Sequence, residues 1–299
     1  MKKISPQLLT DLSLLFIAVV WALNFTVIKA SLSEIDPYSF NAIRFTLASS
    51  FIWLVLAKRK AWFTIPKGDI LPLLGMGLAG NLLYQWLFIV GIDLTLAANA
   101  AVMLGTIPIW VALFSHLLSM EFMNRLKGVG VLLAFLGVLM IIFFAKNPIS
   151  FESENFTGDL VIITAAMVWA LYTIYSKKFL GRYTPLQYST IMTTVGAISL
   201  ALLAIPQAGA TDWSAVSLAS YAGAGFSGLL AIGVAYLIWN NGIRTVGAVR
   251  TATYQNLVPV LGLFFGILLL GESLELLQYL GSGVVIAGIL ITRHGGRVS

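Results

Sequence analysis

VWALNFTVIK, residues 20–29, and VWALYTIYSKK, residues 168–178, say nearly the same thing 148 positions apart. Each lies within a long apolar run. The same shift carries Lys29 onto Lys177 and Pro37 onto Pro185. Farther along it grows to 151, taking Gly91 to Gly242, Ala97 to Ala248, Pro108 to Pro259, Glu121 to Glu272 and Gly137 to Gly288. Proline and glycine matches weigh most, because leucine is everywhere in this chain. The sequence divides on this basis into two similar halves, residues 1–147 and 148–299.

The runs around the repeated phrase set the class. Hydrophobic residues make up 59% and charged residues 10% of the 299, where a soluble domain carries about 25% charged residues. A spanning helix needs about 20 mostly apolar residues. Ten stretches qualify: 12–30, 37–57, 70–91, 94–120, 128–145, 160–176, 184–205, 216–240, 248–270 and 276–292. The expected fold is therefore all-α and integral to the membrane, with ten transmembrane helices. Lys2 and Lys3 before an apolar run resemble a signal peptide, but the run's partner near residue 168 cannot be one. The first run is read as a retained span.

Ten spans with a cytoplasmic N-terminus put all but three of the 18 lysines and arginines on the inner side; the exceptions are Lys29, Arg44 and Lys146. That follows the positive-inside rule and places both termini in the cytoplasm. The net charge of +6 is then a membrane signature and not one of nucleic-acid binding. Five spans per half is an odd number, so the halves lie inverted to each other, as in secondary transporters that gate two faces around one midplane site. The repeated phrase would supply two walls of one pathway.

Trp21 and Trp169 fall near mid-span, below the depth of an interfacial aromatic belt, so each indole N–H needs a cavity or a polar contact. Trp53, Trp62, Trp213 and Trp239 fall near span ends and are read as belt residues. Amides and phenols collect on a few spans: Asn24; Asn81, Tyr84 and Gln85; Asn99 and Met103; Tyr172 beside Trp169; Tyr236 and Asn240; Tyr254 and Gln255. Polar groups facing lipid are costly and should turn inward, to line a solute path or to bond helix to helix. Arg44, deep in the second span, requires a partner, with Glu34 or Asp36 as candidates; a structural or gating role is expected. Lys29, nearer a span end, can snorkel to the interface. Pro108 and Pro259, at matching places, are candidate hinges. No carboxylate falls deep in a span, so no proton relay is visible.

The assembled motifs resemble the EamA family of the drug/metabolite transporter superfamily. VVWALNFTVIK is similar to its first-span signature, NAIRFTLA to its second, and LTLAANAAVMLGTIPIW to its fourth. GAVRTATYQNLVPVLGLFFGILLLGESLELLQYLGSGVVIAGIL is similar to its ninth and tenth spans. Ser119-Met120-Glu121 departs from the Gly-Glu usual at that turn. The resemblance implies an exporter of the bacterial inner membrane; the best-described branch of the family, YddG-like, is similar to amino-acid exporters.

The expected function is export of small amphipathic metabolites, amino acids and aromatic ones among them, by alternating access. The alternatives are a multidrug or nucleotide-type carrier of the same superfamily, and a non-transporting membrane sensor or enzyme. The chain has no cysteine and two histidines, and no catalytic constellation, metal site or cofactor is expected. Its partners would be a small-molecule substrate and the lipid bilayer, with no nucleic acid; a monomer is compatible with the sequence.

Overall fold

A computed structural model describes residues 5–95, 100, 103–144, 153–207, 209–270 and 275–295. Among these residues there is helix and no strand. Within the described residues, seven helical stretches are long and apolar enough to cross a membrane: Pro6–Leu32, Pro37–Lys58, Lys67–Ile92, Phe156–Leu180, Pro185–Gln207, Leu218–Val246 and Leu276–Gly295.

Sequence-local chemistry starts these helices. Ser5 caps α1 (Pro6–Leu32) by accepting the Leu8 N–H. Asp36 caps α2 (Pro37–Lys58), accepting from Tyr38 and Ser39 at 3.0 Å. α3 (Lys67–Gly77) runs through a π-helical stretch, Leu78–Leu83, into α4 (Tyr84–Leu94). α5 (Ile107–Leu117) and α6 (Arg125–Phe143) complete the first half. α7 (Ser153–Leu180) leads to α8 (Pro185–Ala204), where Thr184 and Gln187 form a reciprocal capping box. A cap residue followed by proline thus opens both α2 and α8, since proline's missing N–H costs nothing at a first turn.

α9 (Leu218–Phe226) passes through a second π-helical stretch, Ser227–Val234, into α10 (Ala235–Val246). Gly247 then turns the chain at φ +90°, a backbone region that glycine enters readily. Glu121 packs on this turn and accepts the Ala248 N–H at 2.8 Å. α11 (Ala248–Thr253), a 3-10 turn at Tyr254–Asn256 and α12 (Leu257–Leu270) follow, then α13 (Leu276–Gly295).

Close approach of backbones builds the bundle. α6 lies against α13 with glycines on both faces. A Cβ on Gly137 would sit 2.6 Å from the Val285 nitrogen, and one on Gly281 would sit 2.9 Å from the Gly137 carbonyl. Small residues replace a hydrophobic driving force where lipid is as apolar as leucine. α2 packs on α8, α4 on α7, and α1 on α10. Gly77, Gly80, Gly223 and Gly228 each meet a neighbouring helix, while Gly75 and Gly225 face open space. Lipid-side hydroxyls stay satisfied within their own helix: Thr46 donates to the Ala42 carbonyl and Thr164 to that of Leu160.

Candidate functional site

A cavity of about 310 Å³ lies in the bundle, within the size range of small-molecule sites. Trp21, Asn24 and Phe25 of α1, Arg44 of α2, Tyr84, Gln85 and Phe88 of α4, and Trp169 of α7 form much of its wall. Ala231 and Ile232 come from the second π stretch, Tyr236 from α10, Gln255 from the 3-10 turn, and Pro259 from α12. Wider helical turns loosen the backbone ladder and are frequent at functional sites. Here they sit at matching places in the two halves: the second contributes lining residues directly, and the first ends where Tyr84 and Gln85 begin.

Trp169 is the centre of an aromatic cluster. Its ring centroid is 4.7 Å from Tyr84, 5.0 Å from Tyr172, 5.6 Å from Tyr236 and 5.9 Å from Trp239. Trp21 joins through Trp239 at 5.3 Å, and its indole N–H donates to the Ala231 carbonyl at 3.0 Å. The two indoles of the repeated phrase therefore reach one cavity. Around it, several polar atoms are buried without a partner: the side-chain oxygens of Asn24, Gln85 and Gln255, the Trp169 indole nitrogen and Arg44 Nε.

The structure sorts the expected site residues. Trp21, Asn24, Tyr84, Gln85, Trp169, Tyr236 and Gln255 line the cavity. Tyr172 lies behind Trp169, stacked also on Tyr188 at 6.4 Å. Asn240 does not pair with Tyr236: it donates to Ser189 Oγ at 2.8 Å, whereas the Tyr236 hydroxyl accepts from Gln85 at 3.2 Å. Asn81 is fully buried against Gly196, away from the cavity wall. Met103 packs in the hydrophobic core. Tyr254 turns away, donating to Asp11 at 2.8 Å. Asn99 and the Lys29 side chain lie outside the described residues. Pro108 sits in the first turn of α5, just after a turn at Thr106 that separates it from the helical residues 103–105, and Pro259 lies within α12 and on the cavity wall.

Two expectations are corrected. Trp239 is 1% exposed and packs, with tilted rings, against both Trp21 and Trp169; it is no belt residue, because α10 continues to Val246. Arg44 has no carboxylate partner among the described residues. Its Nη1 donates to Asn41 Oδ1 at 2.8 Å and its guanidinium lies 5.4 Å from the Phe40 ring centroid. The two acids expected to meet it are engaged elsewhere. Asp36 caps α2 and accepts from Thr211 Oγ1 at 2.9 Å. Glu34 accepts the Ser217 N–H at 2.8 Å, and that backbone hydrogen bond holds its pKa below the usual carboxylate value. Phe25 and Phe88, 6.2 Å apart edge to face, are lining residues that amide patterns could not reveal.

A cluster of ion pairs ties the two halves together toward the N-terminal end of α1. Asp11 is 5% exposed and bonded by Arg250 at 2.5 Å, by Arg293 at 3.2 Å and by Tyr254. Beside it Glu121 receives Lys127 at 3.2 Å and Lys177 at 3.7 Å. On α1 the order is Asp11, then the cavity residues from Trp21 on; in the later half it is Arg250 and Tyr254, then Gln255 and Pro259. The cavity thus lies between mid-bundle and the end remote from the N-terminus. No group of three or more His, Asp or Glu side chains among the described residues is placed to hold a metal ion.

The sequence profile of the EamA-like transporter family matches the chain twice, over residues 8–143 and 156–293. The chain belongs to this family. It is 27% identical to the uncharacterized transporter YyaM of Bacillus subtilis over 281 residues, covering 93% of this chain and 91% of that one. It is 27% identical to a probable amino-acid metabolite efflux pump of Escherichia coli over 295 residues, covering 95% and 94%. A protein of known crystal structure superposes with a TM-score of 0.81 at 16% identity, covering 97% of this chain and 96% of the other, and so shares the fold. The chain is accordingly a multi-pass membrane transporter and not an enzyme.

Proposed function

We propose that this EamA-family transporter exports small amphipathic metabolites, amino acids and aromatic ones among them, across the bacterial inner membrane by alternating access. One observation carries the reading: a cavity walled by Trp21, Trp169, Tyr84 and Tyr236, with unpartnered amide oxygens of Asn24, Gln85 and Gln255 beside them. Flat apolar walls suit a ring or aliphatic side chain, and inward amides suit the polar end of the same solute. A sugar phosphate would call for several cations, and Arg44 is the sole charged side chain among the described cavity-lining residues. The printed name of the Escherichia coli relative points the same way.

The two halves, residues 1–147 and 148–299, act as inverted five-helix repeats, with both termini in the cytoplasm. The matching π stretches, the matching cap-proline starts and the two family matches support this reading. So does the packing. The pairs α2–α8 and α6–α13 each join equivalent spans, and α1–α10 and α4–α7 exchange when the halves are exchanged. In this conformation the ion-paired end is closed and solute meets the cavity from the other side.

Purified protein in liposomes, loaded with a panel of labelled amino acids, with and without a pH gradient, tests the reading. Efflux of at least one amphipathic amino acid is expected. Retention of all of them by active, inserted protein would overturn the amino-acid assignment, and a strict gradient requirement would show proton coupling.

A further inference from the structure

Arg44 stands out among the buried cations. Arg250 is as deeply buried and has Asp11. The half-buried Lys127 has Glu121, and even the exposed Arg182 has Asp69. Arg44, at 3% exposure, has one amide oxygen, the face of Phe40, and a buried Nε with no partner. The acids nearest in sequence are committed to helix caps and loop contacts. A guanidinium removed from water without a counter-charge is maintained at a cost, and this one lies on the cavity wall. Its planar fork fits a carboxylate by two parallel hydrogen bonds.

We propose that Arg44 is the specificity-determining residue of this cavity and that it takes the carboxylate of the transported solute. The inference rests on the transport reading above and adds the chemistry of the cargo. The remaining orphans fit the rest of such a molecule. Three amide oxygens, those of Asn24, Gln85 and Gln255, are acceptors awaiting donors, which an ammonium group supplies. The aromatic walls then hold the apolar body. Arg44, a counter-ion short, and the oxygens, donors short, together describe a zwitterion with a flat side chain.

The test is ligand binding by the intact detergent-purified protein, read by calorimetry and thermal shift, with tryptophan and tryptophanamide as probes. The two share the indole and the amine and differ at the carboxylate. Charge-assisted hydrogen bonds of this kind correspond to about 10- to 100-fold in affinity, so the wild type is expected to prefer the acid by that factor. R44Q is expected to bind the acid as weakly as the wild type binds the amide, and to bind the amide at least as well as the wild type does. A merely structural arginine would weaken both probes alike. Should R44Q not purify folded, R44K carries the comparison, with a loss of about tenfold expected for the acid and none for the amide. Equal wild-type affinity for both probes, equal losses of both in the variant, or binding of neither overturns the proposal. Liposome counterflow separates it from the transport reading. Acid bound through Arg44 but never moved would defeat transport alone; acid and amide moved equally would defeat the role of Arg44 alone.

Discussion

Asp11→Asn removes the carboxylate on which Arg250, Arg293 and Tyr254 converge. These partners come from three places in the second half, and Asp11 from the first helix of the first half. The pairs are largely desolvated: the side chains of Asp11 and Arg250 are 6% and 7% exposed. Removing one member of a buried pair costs about 3–5 kcal/mol, because the charge left behind has neither water nor partner. Here two guanidiniums would be left. If the loss falls on the conformation in which this end is shut, the equilibrium moves by roughly a hundredfold to several thousandfold toward the open form. The chain has no cysteine, so a single Ala22→Cys on the cavity wall is a clean reporter. A membrane-impermeant maleimide, applied to right-side-out and inside-out vesicles, reads which face reaches it. The background protein is expected to react mainly from the face remote from the N-terminus, and the Asp11→Asn protein from the N-terminal face. Unchanged labelling in a folded variant would refute the reasoning and reduce the cluster to an anchor for α1.

Trp21→Ala and Trp169→Ala should both cut amino-acid efflux while leaving membrane insertion intact; Trp169→Ala should also lower the melting temperature more, since it loses four aromatic neighbours at about 0.5–1.5 kcal/mol each. Normal export by both variants would strike these residues from the site. Gly281→Ala should destabilise by about 1–3 kcal/mol through overpacking on the Gly137 carbonyl, and Gly283→Ala, which meets nothing within 4 Å, should be silent in the same thermal assay. Asp36→Ala should cost about 0.5–2 kcal/mol for the lost cap of α2, and more if the Thr211 contact also matters; a melting temperature equal to wild type would show the cap to be dispensable.

Apolar runs long enough to span were legible because they rest on local composition. So was the pairing of Trp21 with Trp169, because a repeat marks equivalent places. The rest depends on neighbours far apart in the chain. Amide spacing along the third span says that Asn81 and Gln85 share a face; it does not say that Gln85 meets the cavity while Asn81 is walled in by Gly196. Asn240-Asn241-Gly242 reads as the exit of a span, yet α10 continues because Asn240 is bonded to Ser189 within the bundle. That error displaced Trp239 to the surface. Asp11 and Tyr254 are 243 residues apart, and only the fold makes them partners. Arg44 was matched with acids close by in sequence, which the helix starts had already claimed. The π stretches left no sequence signal beyond their glycines.

The inverted repeat is open to a direct measurement. Trp62 and Trp213 stand 151 residues apart, the same shift that relates the later parts of the halves, and both are exposed, at 62% and 40%. Cysteine at either position reports the side of the membrane that its loop occupies. Impermeant maleimide added to right-side-out vesicles should label Trp213→Cys at once and Trp62→Cys only after permeabilisation. Labelling of both from the same face would contradict two halves built upside-down to each other.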